Sequence, residues 1–397
     1  MISKEDHAPP TKQQIFELVR ALGTVSRVEI ARALEISPGS VTTLTSELIQ
    51  AGFLREVAGP PRDTGRGRPP VALAVQPDAG YVIGAKLSDH KHTALLMDFS
   101  GQTLHHVSTP SGGRGSDIDR LVGATKGLIA QLLDDSGLSS DQISGLGLGL
   151  PGLVDFQSGS VKWSPLLSSR DVPLADIISE ATSIDTLLDN DANLLTLAEL
   201  WFGKGRDMSS FVMVTIENGI GMGCVLDNRL FRGVRGMGME LGHTKVQLDG
   251  ALCRCGKRGC LEAYLSDYAM AREATLALGA DSLGSEDPNA TMQRLYHEAK
   301  AGNQAARSIF LRAARYLAVG LSNVMQIFDP ERIILSGERL TFDYFYSEGV
   351  LDDMLSMTLD ATRYADCVEV HAWGDTIWAK GACALALIQA TNKAMSA

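Results

Sequence analysis

No stretch of this 397-residue chain stays apolar for longer than a strand needs. Nothing in it approaches the roughly 20 consecutive apolar residues of a membrane-crossing helix. The first residues, Met1 to His7, are polar and lack the apolar core of a signal peptide, so a cytoplasmic location and no membrane partner are expected. Cysteine is sparse. Six in the whole chain, three of them within eight residues, do not make a disulfide framework and suit a reducing compartment. Positive charge is also short, with 36 Lys and Arg against 47 Asp and Glu, which excludes a chain that binds nucleic acid over its whole surface. Hydrophobic content of 45% and charged content of 21% are ordinary for a globular protein, and the length calls for two or three domains.

The acidity is unevenly spread. Residues 1–75 carry nine Lys and Arg against eight Asp and Glu, leaving 27 against 39 for the rest. A near-neutral head on an acidic body permits nucleic-acid binding by the head alone. Within the head, Thr11–Leu22 has helical periodicity, with Ile15, Leu18, Val19 and Leu22 on one stripe. Ser26 and Glu29 form a capping box for a second helix. Ser37 followed by Pro38 opens a third, which Gly52 stops. Helix, helix, tight turn, helix is the order of a helix-turn-helix. The early exposed face of the third helix offers Ser40, Thr42 and Thr43, small hydroxyls suited to phosphates and base edges. Two strands follow, near 53–57 and 71–75, joined by a tip reading Thr64-Gly65-Arg66-Gly67-Arg68-Pro69-Pro70. A narrow cationic tip of this kind can lay Arg66 and Arg68 into a minor groove. A winged helix-turn-helix over residues 1–75 is therefore expected. A docking module with a solvated arginine linker is the plainer alternative.

Within the body, His243, Cys253, Cys255 and Cys260 fall within eighteen residues. Three thiols and one imidazole are a full tetrahedral donor set, which fits a structural zinc and leaves no open position for chemistry. Gly256 and Gly259 allow the tight turns of a chelate loop. Glu240 and Glu262 flank the set, so the metal would hold two carboxylates in one loop.

From residue 76 onward, strands alternate with helices and several strands end in glycine-rich turns, which places ligands at their carboxyl ends. Read in order, the turns are Pro151-Gly152, Asn190-Asp191-Ala192-Asn193, Gly219-Ile220-Gly221, Glu240-Leu241-Gly242-His243, the cysteine run ending Cys260-Leu261-Glu262, and Ser336-Gly337. Together these resemble the ROK family of sugar kinases and sugar-responsive repressors, and the winged helix in front resembles its repressor branch. The resemblance implies a two-lobed actin-like, hexokinase-like α/β fold. Lobe 1 would span 76–190, completed by a final helix within 376–397, and lobe 2 would span 191–375 with the zinc loop. It also implies that Asn190, Asp191, Glu240, His243 and Glu262 bind sugar hydroxyls. Carboxylates are strong acceptors for such hydroxyls, and one ring nitrogen of His243 would serve the metal and the other the sugar.

The chain departs from the family's kinases at the phosphate loops. Kinases of the family carry an Asp and a Gly-Gly-Thr turn after the first strand; here the stretch runs Gly84 to His92 with Lys86 in the place of the Asp. Glu217 stands where a threonine precedes Gly-Ile-Gly, and Leu166 where an asparagine often follows Ser-Pro. Backbone N–H groups cradle phosphate only when the loop lets them approach it. No ATP binding is therefore expected. Asp191 matches the family's catalytic base but is read as ligand-binding, so no catalytic residue is assigned. The expected function is transcriptional repression through operator DNA, gated by a sugar or sugar phosphate, in a homodimer or dimer of dimers. A sugar kinase and a regulator gated by a protein partner are the alternatives.

Overall fold

The structure, a computed structural model, describes residues 10–59, 71–279, 288–337, 340, 342–345 and 348–396. The chain divides into two compact units, Met1–Asn190 with Trp378–Ala397, and Asp191–Ile377.

The first unit begins with three helices, α1 (Thr11–Leu22), α2 (Arg27–Ala33) and α3 (Pro38–Gln50), then an antiparallel pair, β1 (Leu54–Ala58) and β2 (Val71–Val75). The caps form as their residues dictate. The Ser26 side chain accepts from the Glu29 N–H while Glu29 accepts from the Ser26 N–H, and Ser37 caps α3 ahead of Pro38. The buried stripe of α1 differs from the periodicity reading. Phe16 and Arg20 join Ile15 and Val19 inside, while Leu22 is 56% exposed. The cause is tertiary. Phe16, Phe53 and Phe99 cluster with centroids 5.6–6.1 Å apart. The Arg20 guanidinium lies over the rings of Phe16 and Phe99 and donates to the Phe99 carbonyl and the Thr391 hydroxyl. Burial draws its pKa down to about 9, while the charges of Glu17 and Asp98 act against that shift.

The remainder of this unit is a five-stranded sheet of β3 (Tyr81–Lys86), β4 (Lys91–Asp98), β5 (Thr103–Pro110), β6 (Ile143–Leu150) and β9 (Thr186–Asn190), in the order β5-β4-β3-β6-β9. A small hairpin, β7 (Leu153–Asp155) with β8 (Ser160–Trp163), leaves the end of β6. Helices α4 (Ile118–Ser136) and α5 (Leu174–Thr182) supply the apolar side chains over one face.

The second unit opens with α6 (Asp191–Phe202), which follows β9 with no intervening residue. Its sheet holds β10 (Phe211–Ile216), β11 (Ile220–Leu226), β12 (Arg229–Phe231), β13 (Arg332–Ser336) and β14 (Val368–Val370), in the order β12-β11-β10-β13-β14. Helices α7 (Glu262–Leu265), α8 (Asp267–Leu278), α9 (Pro288–Lys300), α10 (Gln304–Phe328) and α11 (Glu348–Ser356) complete it. The buried face of the 25-residue α10 dominates its core. The two sheets repeat one plan: an antiparallel three-strand meander extended by two parallel strands. This duplicated sheet is the actin-like, hexokinase-like architecture.

The last helix is α12 (Ile377–Ser396). It packs on β3 and β6 through glycines: a Cβ at Gly84 would collide with the backbone of Ala379 and Cys383, and one at Gly147 with the Ala382 carbonyl. Overpacking a site with no room typically costs about 1–3 kcal/mol. Gly147→Ala should lower the thermal midpoint accordingly. Gly123→Ala, in open space on α4, should leave it unchanged or raise it. Equal midpoints for the two variants would mean that α12 is not held against β6.

Candidate ligand and metal site

The residues of interest lie on four short segments of the second unit. Asp191 is the first residue of α6, and its Oδ1 accepts from the Ala192 N–H. Glu217-Asn218-Gly219 is the turn between β10 and β11, closed by a bond from the Glu217 N–H to the Gly219 carbonyl. Leu241–His243 is a single 3-10 turn preceded by Glu240. Glu262 opens α7. Leu241 and Leu261, both buried in the core of this unit, pin the two ends of the long loop, so the polar residues beside them are held by apolar packing. Gly219 lies against Glu262, where a Cβ would come within 2.9 Å of Oε2.

Between those anchors the chain doubles back. Val246 N–H donates to the Gly259 carbonyl, Leu261 N–H to the Thr244 carbonyl, and Cys253 N–H to the Lys257 carbonyl. Gly256 (φ 85°) and Gly259 (φ 72°) take the left-handed backbone that these reversals require. The turns bring His243, Cys253, Cys255 and Cys260 together, with their ligand atoms all within 4.8 Å of one another. Cys253 Sγ is 3.7 Å from His243 Nδ1, and Cys255 Sγ is 3.7 Å from Cys260 Sγ. One metal ion can reach all four. Lys245 Nζ donates to Cys260 Sγ at 2.8 Å. Burial, with the neighbouring thiols adding to it, holds the Cys260 thiol up at about 11 despite that ammonium, so a metal entering here displaces a proton.

The imidazole of His243 faces two ways. Nδ1 points to the thiols, and Nε2 lies 4.0 Å from Glu240 Oε2. Glu240 is half-buried, and its pKa is raised to about 7. Burial is the main cause; His243 pulls it down, and the charges of Asp191 and Glu262 push it up. The charges of Asp191, Glu240 and Glu262 thus sense one another beside the imidazole. Such a group can accept several hydroxyl protons at once. Asn190 is the last residue of β9 in the first unit, immediately before Asp191.

Sequence reasoning missed Lys245 and Tyr268, whose hydroxyl approaches Cys253 Sγ and Glu262 Oε1. Lys245, two residues after His243, could have been suspected as a cation beside thiolates. Tyr268 sits one helix beyond Glu262 at no regular spacing and carried no signal.

In the first unit, the turn after β3 is occupied from within. Ser88 N–H donates to His92 Nδ1, and Lys91 N–H to the Ser88 hydroxyl, which itself donates to the Lys91 carbonyl. The Lys86 ammonium lies 3.5 Å from the centroid of the Trp378 ring. Leu166 is fully buried, and its side chain packs into the core of this unit. In the head, Ser40, Thr42 and Thr43 are exposed on α3. The Thr42 hydroxyl donates back to the Pro38 carbonyl, and the Ser40 hydroxyl pairs with Ser37. Arg27 is committed to Thr45 and Glu56. Arg66 and Arg68 lie outside the described residues.

A profile of the ROK family matches residues 82–389. A xylose repressor from Caldicellulosiruptor bescii is 29% identical over 372 residues, 91% of this chain and 92% of its own. A solved structure of a ROK family transcriptional regulator, a homologue of the Escherichia coli Mlc protein, has a TM-score of 0.78 at 24% identity and covers 97% of this chain and 98% of its own. A ROK hexokinase from Thermus thermophilus has a TM-score of 0.64 at 30% identity over 79% of this chain and 99% of its own. The hexokinase-sized match leaves out about a fifth of this chain, whereas the two regulator matches span more than nine-tenths of it. The chain belongs to the ROK family.

Proposed function

We propose that this protein is a DNA-binding transcriptional repressor whose hold on its operator is set by a sugar or sugar derivative. The observation that carries this reading is the winged helix built into the first compact unit ahead of the ROK match, which begins at Val82. The xylose repressor's match covers 91% of this chain, more than the body alone supplies, so it reaches into the head. Ser40, Thr42 and Thr43 would meet base edges and phosphates, with Arg66 and Arg68 in the minor groove. Asp191, Glu240, His243 and Glu262, together with Asn190, would accept the effector's hydroxyls. An effector that binds one conformation better than another shifts the balance between them, and with it operator affinity. A homodimer or dimer of dimers, matching a two-fold operator, would supply two heads.

The metal is proposed to be zinc. Zinc–sulfur bonds of about 2.3 Å in a tetrahedron set sulfurs about 3.8 Å apart, and the Cys255–Cys260 separation is 3.7 Å. Four protein donors leave no site for water, so the ion would crosslink the loop and orient His243 without doing chemistry. Phosphoryl transfer is not part of the proposal. The N–H groups of Ser88 and Lys91 are already satisfied, Lys86 stands in place of the Asp of the family's kinases and cannot hold magnesium, and Glu217 brings a carboxylate that a triphosphate would avoid.

Titration calorimetry of the zinc-loaded protein against hexoses, pentoses, N-acetyl sugars and their phosphates, with and without Mg-ATP, tests the reading. Saturable sugar heat that is abolished in Glu240→Gln, with no ATP heat and no phosphorylated product, is expected. ATP turnover would make the chain a kinase. No heat from any sugar would point to a protein signal. Cys255→Ser or Cys260→Ser should lose its metal by elemental analysis and become protease-sensitive between residues 240 and 262; retained zinc and an intact loop would remove the metal assignment. Arg66→Ala with Arg68→Ala should weaken operator binding about tenfold or more at moderate salt and leave sugar heat unchanged, whereas unchanged operator affinity would make that tip a linker only.

A further inference from the structure

Glu262 and the metal set meet at a contact that the assigned residues do not account for. Glu262 is only 9% exposed, and its Oε1 lies 3.6 Å from Cys253 Sγ. Without metal, the thiol proton can bridge the two. With a metal bound, Cys253 is a thiolate, and two acceptor-only anions then face each other with no proton between them. The surroundings supply one. Tyr268 Oη is 3.5 Å from Cys253 Sγ and 3.5 Å from Glu262 Oε1. A phenol has one proton and can serve only one of these acceptors at a time. Its orientation is fixed from the other side: the Arg254 N–H donates to Oη at 3.3 Å, and the Arg254 guanidinium covers the ring at 3.8 Å from the centroid. A second cation acts at the opposite corner of the set, where Lys245 Nζ bonds Cys260 Sγ. Three thiolates and a neutral imidazole around a dication leave one excess negative charge, and Lys245 and Tyr268 are the groups positioned to spread it.

We infer that Tyr268 is the positioning residue that couples the metal set to the ligand-facing carboxylate, its single hydroxyl proton shared between Cys253 and Glu262. This rests on the reading of the four donors as a metal site, and it adds a direction to the coupling. A ligand hydroxyl that donates to Glu262 satisfies that carboxylate, releases the Tyr268 proton to the Cys253 sulfur, and so tightens the metal. Ligand and metal then favour each other through one phenol.

A double-mutant cycle read in zinc affinity tests this without any sugar. Zinc binding is measured by competition with a chromophoric chelator for the full-length wild type, Tyr268→Phe, Glu262→Gln and the double variant. The metal-free melting curve of each serves as the control for folding. Loss of a group that hydrogen-bonds a metal ligand typically costs 10–100-fold in metal affinity, and Tyr268→Phe should weaken zinc by about tenfold. Glu262→Gln takes away the carboxylate that competes for the phenol proton, so Tyr268→Phe in that background should cost several-fold more zinc affinity than in the wild type. Equal losses in both backgrounds, or a Tyr268→Phe protein that holds zinc within twofold of wild type, overturn the inference alone. A wild-type protein that retains no zinc overturns the metal assignment with it.

Discussion

One imidazole with two faces organises the candidate site. His243 turns Nδ1 to the cysteines and Nε2 to Glu240, so the orientation of its ring is common to the metal set and the carboxylate cluster. That ring is held by apolar anchoring, not by polar contacts alone. Leu241 two residues before it and Leu261 at the far end of the loop are buried in the core of the second unit. The polar residues between have little choice of direction once those leucines are seated. The close approach of Gly219 to Glu262 adds the third side. Packing thus fixes the carboxylates within reach of one another at a cost visible in Glu240, whose proton affinity is raised chiefly by burial.

The second organising constraint is repetition. Each unit carries the same five-strand order, and each meander turns near a site the fold could use. In the second unit the turn between β10 and β11 borders the carboxylates. In the first unit the equivalent turn, after β3, has closed on itself through Ser88, Lys91 and His92. The same topology therefore sets one turn beside the carboxylates and closes the other through Ser88, Lys91 and His92, and the difference lies in a few side chains.

What the sequence disclosed follows the range of the interactions. The caps at Ser26 and Ser37 and the meeting of His243 with Cys253, Cys255 and Cys260 depend on residues within one turn or one loop, and these were legible. The strand–helix junction was half legible. Helix α6 starts at Asp191 itself, because β9 feeds it directly without a separate capping residue. Contacts between distant residues were not legible. The inner stripe of α1 turned on Phe99 and Thr391, which lie 79 and 371 positions from Arg20. Lys86 found Trp378, and Leu166 went into the core. Periodicity marks Leu22 as the apolar choice for the inner face of α1, and only the neighbouring lobe makes an arginine the better one. Tyr268 belongs to the same class: its partners come from a loop folded back over α8, and no spacing reports that.

The seating of Arg20 has a consequence for geometry on DNA. A guanidinium set over the rings of Phe16 and Phe99 and bonded to Phe99 and Thr391 resists any other docking pose, since sliding α1 by a turn would strand a buried charge. The head is thereby keyed to its lobe like a blade set in a handle, not hung from it on a string. Stretching or shortening the chain between head and body would then alter little the angle at which the head meets a double helix.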